Sequence, residues 1–438
     1  MNQAVDCVIV GAGIAGLTLA YQLKQSGRNY LLIEPGQIGG FINTKILDGF
    51  LLECGPNVFV TRPQMLTLLA ELGLSSEVVF PRVPKFRQLI WDTDSKQVTD
   101  VPRGPLALLK SKALTLIEKF GILKGILKRP ILSEQAQDLS VGELFMHLGS
   151  KRLVDQFVDG GLKGVYGGDV YKLSARTLFP NLWRHLQRGS SMFSFLKAFS
   201  PAKMFMLRNG NSRLVEKLVE KIGDTSTLRD QVNLIHPLPE GGFLTQLTSG
   251  ASIRSKKLVI STAATTTAKF LGPEFSELSS ALQSIPIAPL ALMHFEVPFD
   301  QKIPQDAFGI LHPGVNDTGF LGVMFSSHLF PHMAPLNKQL ITVCIGGLGR
   351  QDLLQQDDDS LDIMARSELQ RILAIKPTRL LSITRWPLAV PQLCVGHFKI
   401  ESLLQSAETR FPGLKFIGCD RGGVGVSDRI RIALNCEV

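Results

Sequence analysis

The stretch VDCVIVGAGIAGLTLAYQL, residues 5 to 23, constrains this chain more than any other. Val5 to Val10 reads as a buried parallel strand, Gly11-Ala12-Gly13-Ile14-Ala15-Gly16 follows at once, and the pattern from Leu17 to Gln25 is helical. Strand, turn and helix of this kind open a Rossmann-like α/β domain. Gly11 permits the tight turn, Gly13 lets backbone approach a pyrophosphate, and Gly16 lets the helix lie close on the strand. The helix N-terminus then offers unpaired N–H groups and a partial positive charge to phosphates. A second strand, Tyr30 to Ile33, ends in Glu34, 18 residues beyond Gly16, where a carboxylate accepts hydrogen bonds from a ribose. All five parts in this register predict a dinucleotide site.

Which dinucleotide is decided further along. Gly39-Gly40 comes five residues after the acid, in PGQIGGFINT, and LDGFLLECGPNVF sets Gly55-Pro56-Asn57 after a short strand. A pair of glycine-containing turns suits backbone lying against a flat ring system. Composition narrows the partners. With 438 residues, 45% hydrophobic content and 40 glycines the chain divides into two or three domains. A formal charge of +9 with only four Tyr and three Trp, and no basic stretch interleaved with aromatics, argues against nucleic acid and for a membrane surface or an anionic small molecule. The six cysteines form no CxxC pair and the histidines show no zinc spacing, so reduced thiols in a cytoplasmic setting and no metal are expected. Neither a signal nor a transit peptide is visible, and no apolar run reaches the roughly 18 residues needed to span a bilayer.

In the middle, periodicity predicts a helix from Val141 to His147 capped by Ser140, a second from Lys151 to about Leu162, and then a glycine-rich loop. The matching pieces are Ser140-Val141-Gly142-Glu143, Gly164-Val165-Tyr166-Gly167-Gly168-Asp169, LRNGNSRLVEKL, VISTAA, GVMFSSHLFP, RWPLAVPQLCVGH and GGVGVSDRIR. In this order the chain resembles the protoporphyrinogen oxidases of the flavin amine oxidase superfamily, over nearly its full length. The resemblance implies noncovalent FAD and six-electron oxidation of protoporphyrinogen IX to protoporphyrin IX in haem synthesis, with oxygen reduced to hydrogen peroxide. It also implies a place for each cofactor residue. Gly11 to Gly16 hold the pyrophosphate; Glu34 binds ribose; Gly39, Gly40, Phe41, Ile42, Gly55, Pro56 and Asn57 flank the flavin. Val232 brings backbone to the adenine, Trp386 lies beside the flavin, and Val424, Gly425 and Val426 face its pyrimidine edge. There Ser427 or Asp428 is expected to cap the last helix.

On the substrate side the resemblance implies a backbone carbonyl of Gly164 against the macrocycle and stacking by Phe325 or Phe330. An arginine that binds a propionate in mitochondrial-type members is replaced here by Asn43, which leaves Arg176 or Arg208 to supply the charge. Coproporphyrinogen III, with four propionates, stays open as substrate, and so do a related flavin oxidoreductase and a catalytically silent porphyrin binder. No catalytic acid or base is assigned.

From Arg103 to Arg129 there are seven basic residues and one acid, with Leu106, Leu109, Ala113, Leu116, Phe120, Leu123 and Leu127 at helical spacing. This predicts a helix on an anionic membrane, bent or broken at Gly121 and Gly125. Relatives carry their membrane-binding helices here. Peripheral attachment from the cytoplasm is therefore expected, with ferrochelatase and a second copy of the chain, as a homodimer, as candidate partners. The expected organisation is α/β: a discontinuous Rossmann-like FAD-binding domain (1–73, 205–265, 385–438), a helical membrane-associating insertion (74–169) and a mixed α/β substrate domain (170–204, 266–384).

Overall fold

The computed structural model describes residues 3–83, 85–102, 105–111, 113–127, 132, 137–147, 149–198, 203–223, 226–314 and 319–438. Two seven-stranded sheets organise it. The first begins with β1 (Gln3–Val10), α1 (Ile14–Gln25) and β2 (Tyr30–Ile33). β1 lies parallel between β2 and Ser252–Ile260, and the strand Leu414–Phe416 adds to the latter in parallel. A parallel sheet is covered on both faces, which is why its strands read as continuous apolar runs. On one face Leu17, Leu19, Leu214, Leu218 and Ile430 pack from α1, the helix Ser212–Ile222 and the last helix, Val426–Leu434; on the other, Phe243, Ile260, Phe275 and Leu404 pack together. The predicted Val5–Val10 strand and Leu17–Gln25 helix are thus present, each slightly longer.

The second sheet runs in the order Arg379–Pro391, Ile287–Pro298, Lys338–Gly346, Phe320–Met324, Ala307–Leu311, Arg87–Asp92, Gln97–Asp100. One face carries the helix Asp358–Leu373, whose Leu361, Ala365, Leu369 and Ile372 recur at helical spacing and are buried. Asp357 caps that helix, accepting the Ser360 N–H at 2.7 Å. A hairpin, β3 (Thr44–Leu47) and β4 (Phe50–Glu53), joins the two halves. Its tip is tied to the second sheet by the Asp48–Arg379 ion pair at 2.9 Å.

Three expectations change. The insertion at 74–169 is not wholly helical, because Arg87–Asp92 and Gln97–Asp100 complete the second sheet, and the boundary at 385 falls inside the strand Arg379–Pro391. The helix starting at Lys151 does not end near Leu162. It passes through a π-helical turn, Leu153–Val158, and runs to Tyr166, where Gly167 closes it in the left-handed conformation. The basic segment is two helices rather than one, Pro105–Lys110 and Leu116–Leu127, and the second runs unbroken through Gly121 and Gly125. Arg103, Lys112, Lys128 and Arg129 of that expectation lie outside the described residues. Ser140 caps Val141–Met146 as expected, in a capping box with Glu143.

Candidate active site

The opening turn has the geometry its sequence calls for. Gly11 has φ +100°, a conformation that side chains disfavour. A Cβ on Gly16 would lie 2.0 Å from the Gly11 carbonyl oxygen, so only glycine lets α1 sit this close to β1. Gly13 faces open space, with nothing within 4 Å of where its Cβ would be, and no side chain caps α1 there. The first-turn N–H groups of α1 are left for a ligand. Glu34 is oriented by two backbone donors, Ala12 N at 2.8 Å and Gly36 N at 2.9 Å. Its own N–H donates to the Leu228 carbonyl, four residues before Val232, the buried first residue of Val232–Pro237. Gly39 N donates to Ala12 O at 2.9 Å, and Gly40 faces the Gly13 Cα, so the glycine pair and the opening turn form one continuous floor.

At the other end, the Gly55 turn lies on the Phe41 backbone: a Cβ on Gly55 would stand 1.7 Å from the Phe41 oxygen. The Phe41 ring, partly exposed, meets the edge of Trp386 at 5.0 Å between centroids, and Trp386 Nε1 donates to Cys54 O at 2.7 Å. Trp386 thus comes from the second sheet to stand against Phe41 and the Gly55 turn. Asn211 Nδ2 donates to Pro56 O at 2.9 Å and Asn57 O at 3.3 Å. Beneath the turn Glu53 is buried; its carboxyl accepts Asn211 N at 2.8 Å and the Thr44 hydroxyl at 3.0 Å. Burial pushes the Glu53 carboxyl up to about 8, against the pull of those two donors.

The late glycine loop closes the same cleft. Cys419 N donates to Thr262 O at 2.8 Å, and Thr262 packs against Gly11, so the loop abuts the opening turn. Gly422 and Gly423 both have positive φ. The cap of the last helix differs from expectation: Gly425 is the N-cap and no side chain caps it, because Ser427 turns inward to donate to Val60 O at 2.6 Å and Asp428 falls within the first turn. The buried Arg429 guanidinium holds the loop from inside, donating to the carbonyls of Ile417, Gly418, Arg421 and Gly423. Sequence reasoning missed it, since nothing in SDRIR separates Arg429 from the exposed-type Arg431. Tyr166 reaches this loop as well: burial, with Asp428 nearby, pushes its hydroxyl up to about 12.

The substrate-side expectations fare differently. Gly164 lies within the helix Asp159–Tyr166, where a Cβ would meet Leu311 at 2.4 Å, so its glycine serves close packing of that helix on the second sheet. Phe325 and Phe330 are completely buried in separate core clusters, and neither ring lines an open surface. Arg176 is spent elsewhere: it donates to Gln137 O at 2.7 Å and covers the Phe398 ring at 4.2 Å. Asn43 is half-buried, its carbonyl accepting Cys54 N. Gln392, not singled out by sequence, is buried and links the Tyr166 carbonyl to the Val390 carbonyl, at 2.8 and 3.0 Å. Its signal was present in PQLCVGH, but the bond exists only once the helix ending at Tyr166 packs beside the end of the strand Arg379–Pro391.

A flavin adenine dinucleotide fits this cleft: two uncapped helix N-termini face it from α1 and the last helix, Gly13 leaves open room, and the buried Ser261 Oγ and Asn57 Oδ1 beside the turns have no protein partner. The model of the flavin containing amine oxidoreductases matches residues 14–427. The chain belongs to this family. It is a FAD-dependent oxidoreductase. Among curated relatives, chloroplastic protoporphyrinogen oxidase 1 of Arabidopsis thaliana is 29% identical, covering 92% of this chain and 81% of that protein. The coproporphyrinogen III oxidase of Bacillus subtilis (strain 168) is 23% identical, covering 97% and 95%. A provisionally named protoporphyrinogen oxidase from Exiguobacterium sp. 255-15, at 21% identity, has the same fold, with a TM-score of 0.83 over 99% of this chain and 97% of that one. Among the described residues no helix is long and apolar enough to cross a membrane, and no cluster of metal-binding side chains is present.

Proposed function

We propose that this flavoprotein oxidises a porphyrinogen to its porphyrin, with protoporphyrinogen IX as the first candidate and coproporphyrinogen III as the second. The observation that supports the reading is the meeting of the helix ending at Tyr166 with Gln392, at the end of the second sheet's edge strand and close to the turns we assign to the flavin. That segment is one of those by which the chain resembles porphyrinogen oxidases. Relatives named for both substrates cover nearly the whole chain, and Asn43 in place of a propionate-binding arginine favours keeping the second.

FAD, when bound, would supply the two-electron acceptor, and a six-electron oxidation would use it three times. The chain positions and shields. We assign the pyrophosphate to Gly11–Gly16, the ribose to Glu34, and the ring to Gly39–Ile42, Gly55–Asn57, Trp386 and Val424–Val426. The uncapped N-terminus at Gly425 would offer its N–H dipoles to negative charge on the reduced ring. The Phe41 and Trp386 rings keep water from the reacting carbon. Oxygen as acceptor, with one hydrogen peroxide per round, completes the electron balance.

Attachment to a membrane belongs to the same proposal. Leu116, Ile117, Phe120 and Leu127 stand exposed on one helix, with Phe193 and Leu196 of the adjoining Met192–Ala198 and with Lys110 and Lys124 beside them. Such a surface suits an anionic bilayer and a greasy product.

The test is porphyrin fluorescence after flavin-loaded protein meets each porphyrinogen, against a no-enzyme control. Faster appearance with either substrate supports the reading and chooses between them. No acceleration of either, with oxygen or a quinone supplied, refutes it.

A further inference from the structure

The backbone from Glu53 to Asn57 is held by side chains that come from three distant places in the chain. His294 Nε2, from the second sheet, meets Glu53 O at 3.2 Å. Trp386 Nε1, from the neighbouring strand of that sheet, donates to Cys54 O at 2.7 Å. Asn211, at the start of the helix Ser212–Ile222, donates its amide to Pro56 O and Asn57 O at 2.9 and 3.3 Å. Four of the five carbonyls in the segment are thus held by distant side chains from both halves of the molecule, and the fifth, Gly55 O, accepts the Asn57 amide at 3.4 Å. Asn211 can aim its amide there because its other atoms are fixed as well. Its N–H goes to Glu53 Oε1 at 2.8 Å, and its side-chain oxygen accepts Leu207 N at 3.2 Å. The second Glu53 oxygen takes the Thr44 hydroxyl, while Thr44 N donates to Ser212 Oγ at 2.7 Å and Ser212 N to Thr44 Oγ1 at 3.0 Å. Glu53 and Asn211 are both almost wholly buried. Neither reaches the cleft, so each acts through the turn above it.

We propose that Glu53 and Asn211 are positioning residues for the flavin: together they set the height and tilt of the Gly55-Pro56-Asn57 turn, and of Asn43 and Thr44 beside it, against the ring. The inference rests on the assignment of that turn to the flavin. Burying a carboxyl and an amide for this purpose is costly unless every polar atom is matched, and here each is. The arrangement explains how an acid is tolerated at the end of a strand whose Phe50, Leu51 and Leu52 are core residues. It also ties the turn to the second sheet, so the ring and the face presented to substrate are fixed relative to one another by one bonded segment.

The test uses full-length protein stripped of flavin and reloaded. Asn211→Ala removes both donors to the turn, and Glu53→Gln keeps an acceptor for Asn211 N while disturbing the Thr44 bond. Three quantities are read for each: the unfolding midpoint of the flavin-free protein, the FAD dissociation constant by fluorescence quenching, and the visible absorption spectrum of bound flavin. Loss of the turn's two hydrogen bonds predicts FAD binding weaker by about tenfold or more in Asn211→Ala, with a shifted flavin band, and a smaller change of the same kind in Glu53→Gln. FAD affinity within twofold of the parent and an unmoved spectrum in both variants, whatever happens to the unfolding midpoint, would make the pair merely structural and overturn the proposal. Should Asn211→Ala not fold, Glu53→Gln and Thr44→Val carry the same comparison. A parent that fails to bind FAD would sink the cofactor assignment itself, which is a separate outcome from equal binding by parent and variant.

Discussion

Gly13 and Gly16 stand three residues apart in one turn, and the structure gives them opposite reasons for being glycine. Replacing Gly16 by alanine places a methyl 2.0 Å from the Gly11 carbonyl oxygen and 3.0 Å from Ser261 Oγ. A carbon and a carbonyl oxygen rest at about 3.3 Å or more, so α1 must back away by more than about 1 Å. The carbonyl cannot yield, because Gly11 N is bonded to Ile33 O at 2.8 Å and β1 is paired on both sides. Overpacking of this kind costs about 1–3 kcal/mol of stability, and a displaced helix N-terminus forfeits hydrogen bonds to a charged phosphate worth about 1.5–3 kcal/mol. Gly16→Ala should therefore lower the unfolding midpoint of the flavin-free protein and weaken FAD by roughly 10- to 100-fold. Replacing Gly13 by alanine meets no protein atom within 4 Å, and its φ of −69° suits any residue. The flavin-free protein should keep its midpoint, while the methyl occupies the space kept for the pyrophosphate and binding falls by a similar factor. Calorimetry without flavin, paired with FAD titration, separates the two. If Gly13→Ala binds FAD within twofold of the parent, the pyrophosphate does not lie over Gly13 and the reasoning fails.

Three further outcomes are expected. Burial holds His294, His312 and His397 down at about 4, against a usual value of 6.5, so the folded state binds fewer protons between those limits and stability is lost as pH falls from about 6.5 to 4, by up to about 3 kcal/mol for each. Glu53, pushed up from 4.5 to about 8, works the other way: its contribution is lost as pH rises through that range. Urea midpoints against pH should show the acid slope flatten in His294→Gln and the alkaline slope flatten in Glu53→Gln; slopes equal to the parent's would contradict both shifts. Replacing Ile117 and Phe120 together by serine should cut binding to anionic vesicles at least severalfold without altering turnover of detergent-dispersed substrate, and undiminished vesicle sedimentation would remove this face as the attachment surface. Arg176→Ala should leave the porphyrinogen KM unchanged, since the side chain is committed to Gln137 and Phe398; a large rise in KM would return Arg176 to the list of propionate anchors.

How legible the site was depends on whether a residue acts through its own neighbours or through distant ones. The Gly11–Gly16 turn and the Ser140 cap were readable because backbone conformation and capping are local, and the residues that need them lie within a few positions. The helix through Gly164 was misjudged for the same reason. Glycine disfavours a helix locally, yet Gly160 and Gly164 are used to bring the helix against Ile90 and Leu311, a contact that pays off only in three dimensions. Phe325 and Phe330 had an apolar pattern that suits a stacking platform and a core equally, and only packing distinguishes them.

Glu53, Asn211 and Gln392 show the remaining limit. Each is a polar residue in a segment that resembles relatives, but its partner lies far away in the chain: Asn211 is 158 residues from Glu53, and Gln392 is 226 from Tyr166. Sequence by itself determined the dinucleotide fold, the cofactor and the family, since these rest on local backbone requirements and on the order of motifs. Tertiary structure alone decided which polar groups hold the glycine turns, that Arg176 and Arg429 are already engaged, and that the second sheet supplies the tryptophan beside Phe41. The physical reason is that a buried hydrogen bond is specified by two positions at once, and only the fold brings them together.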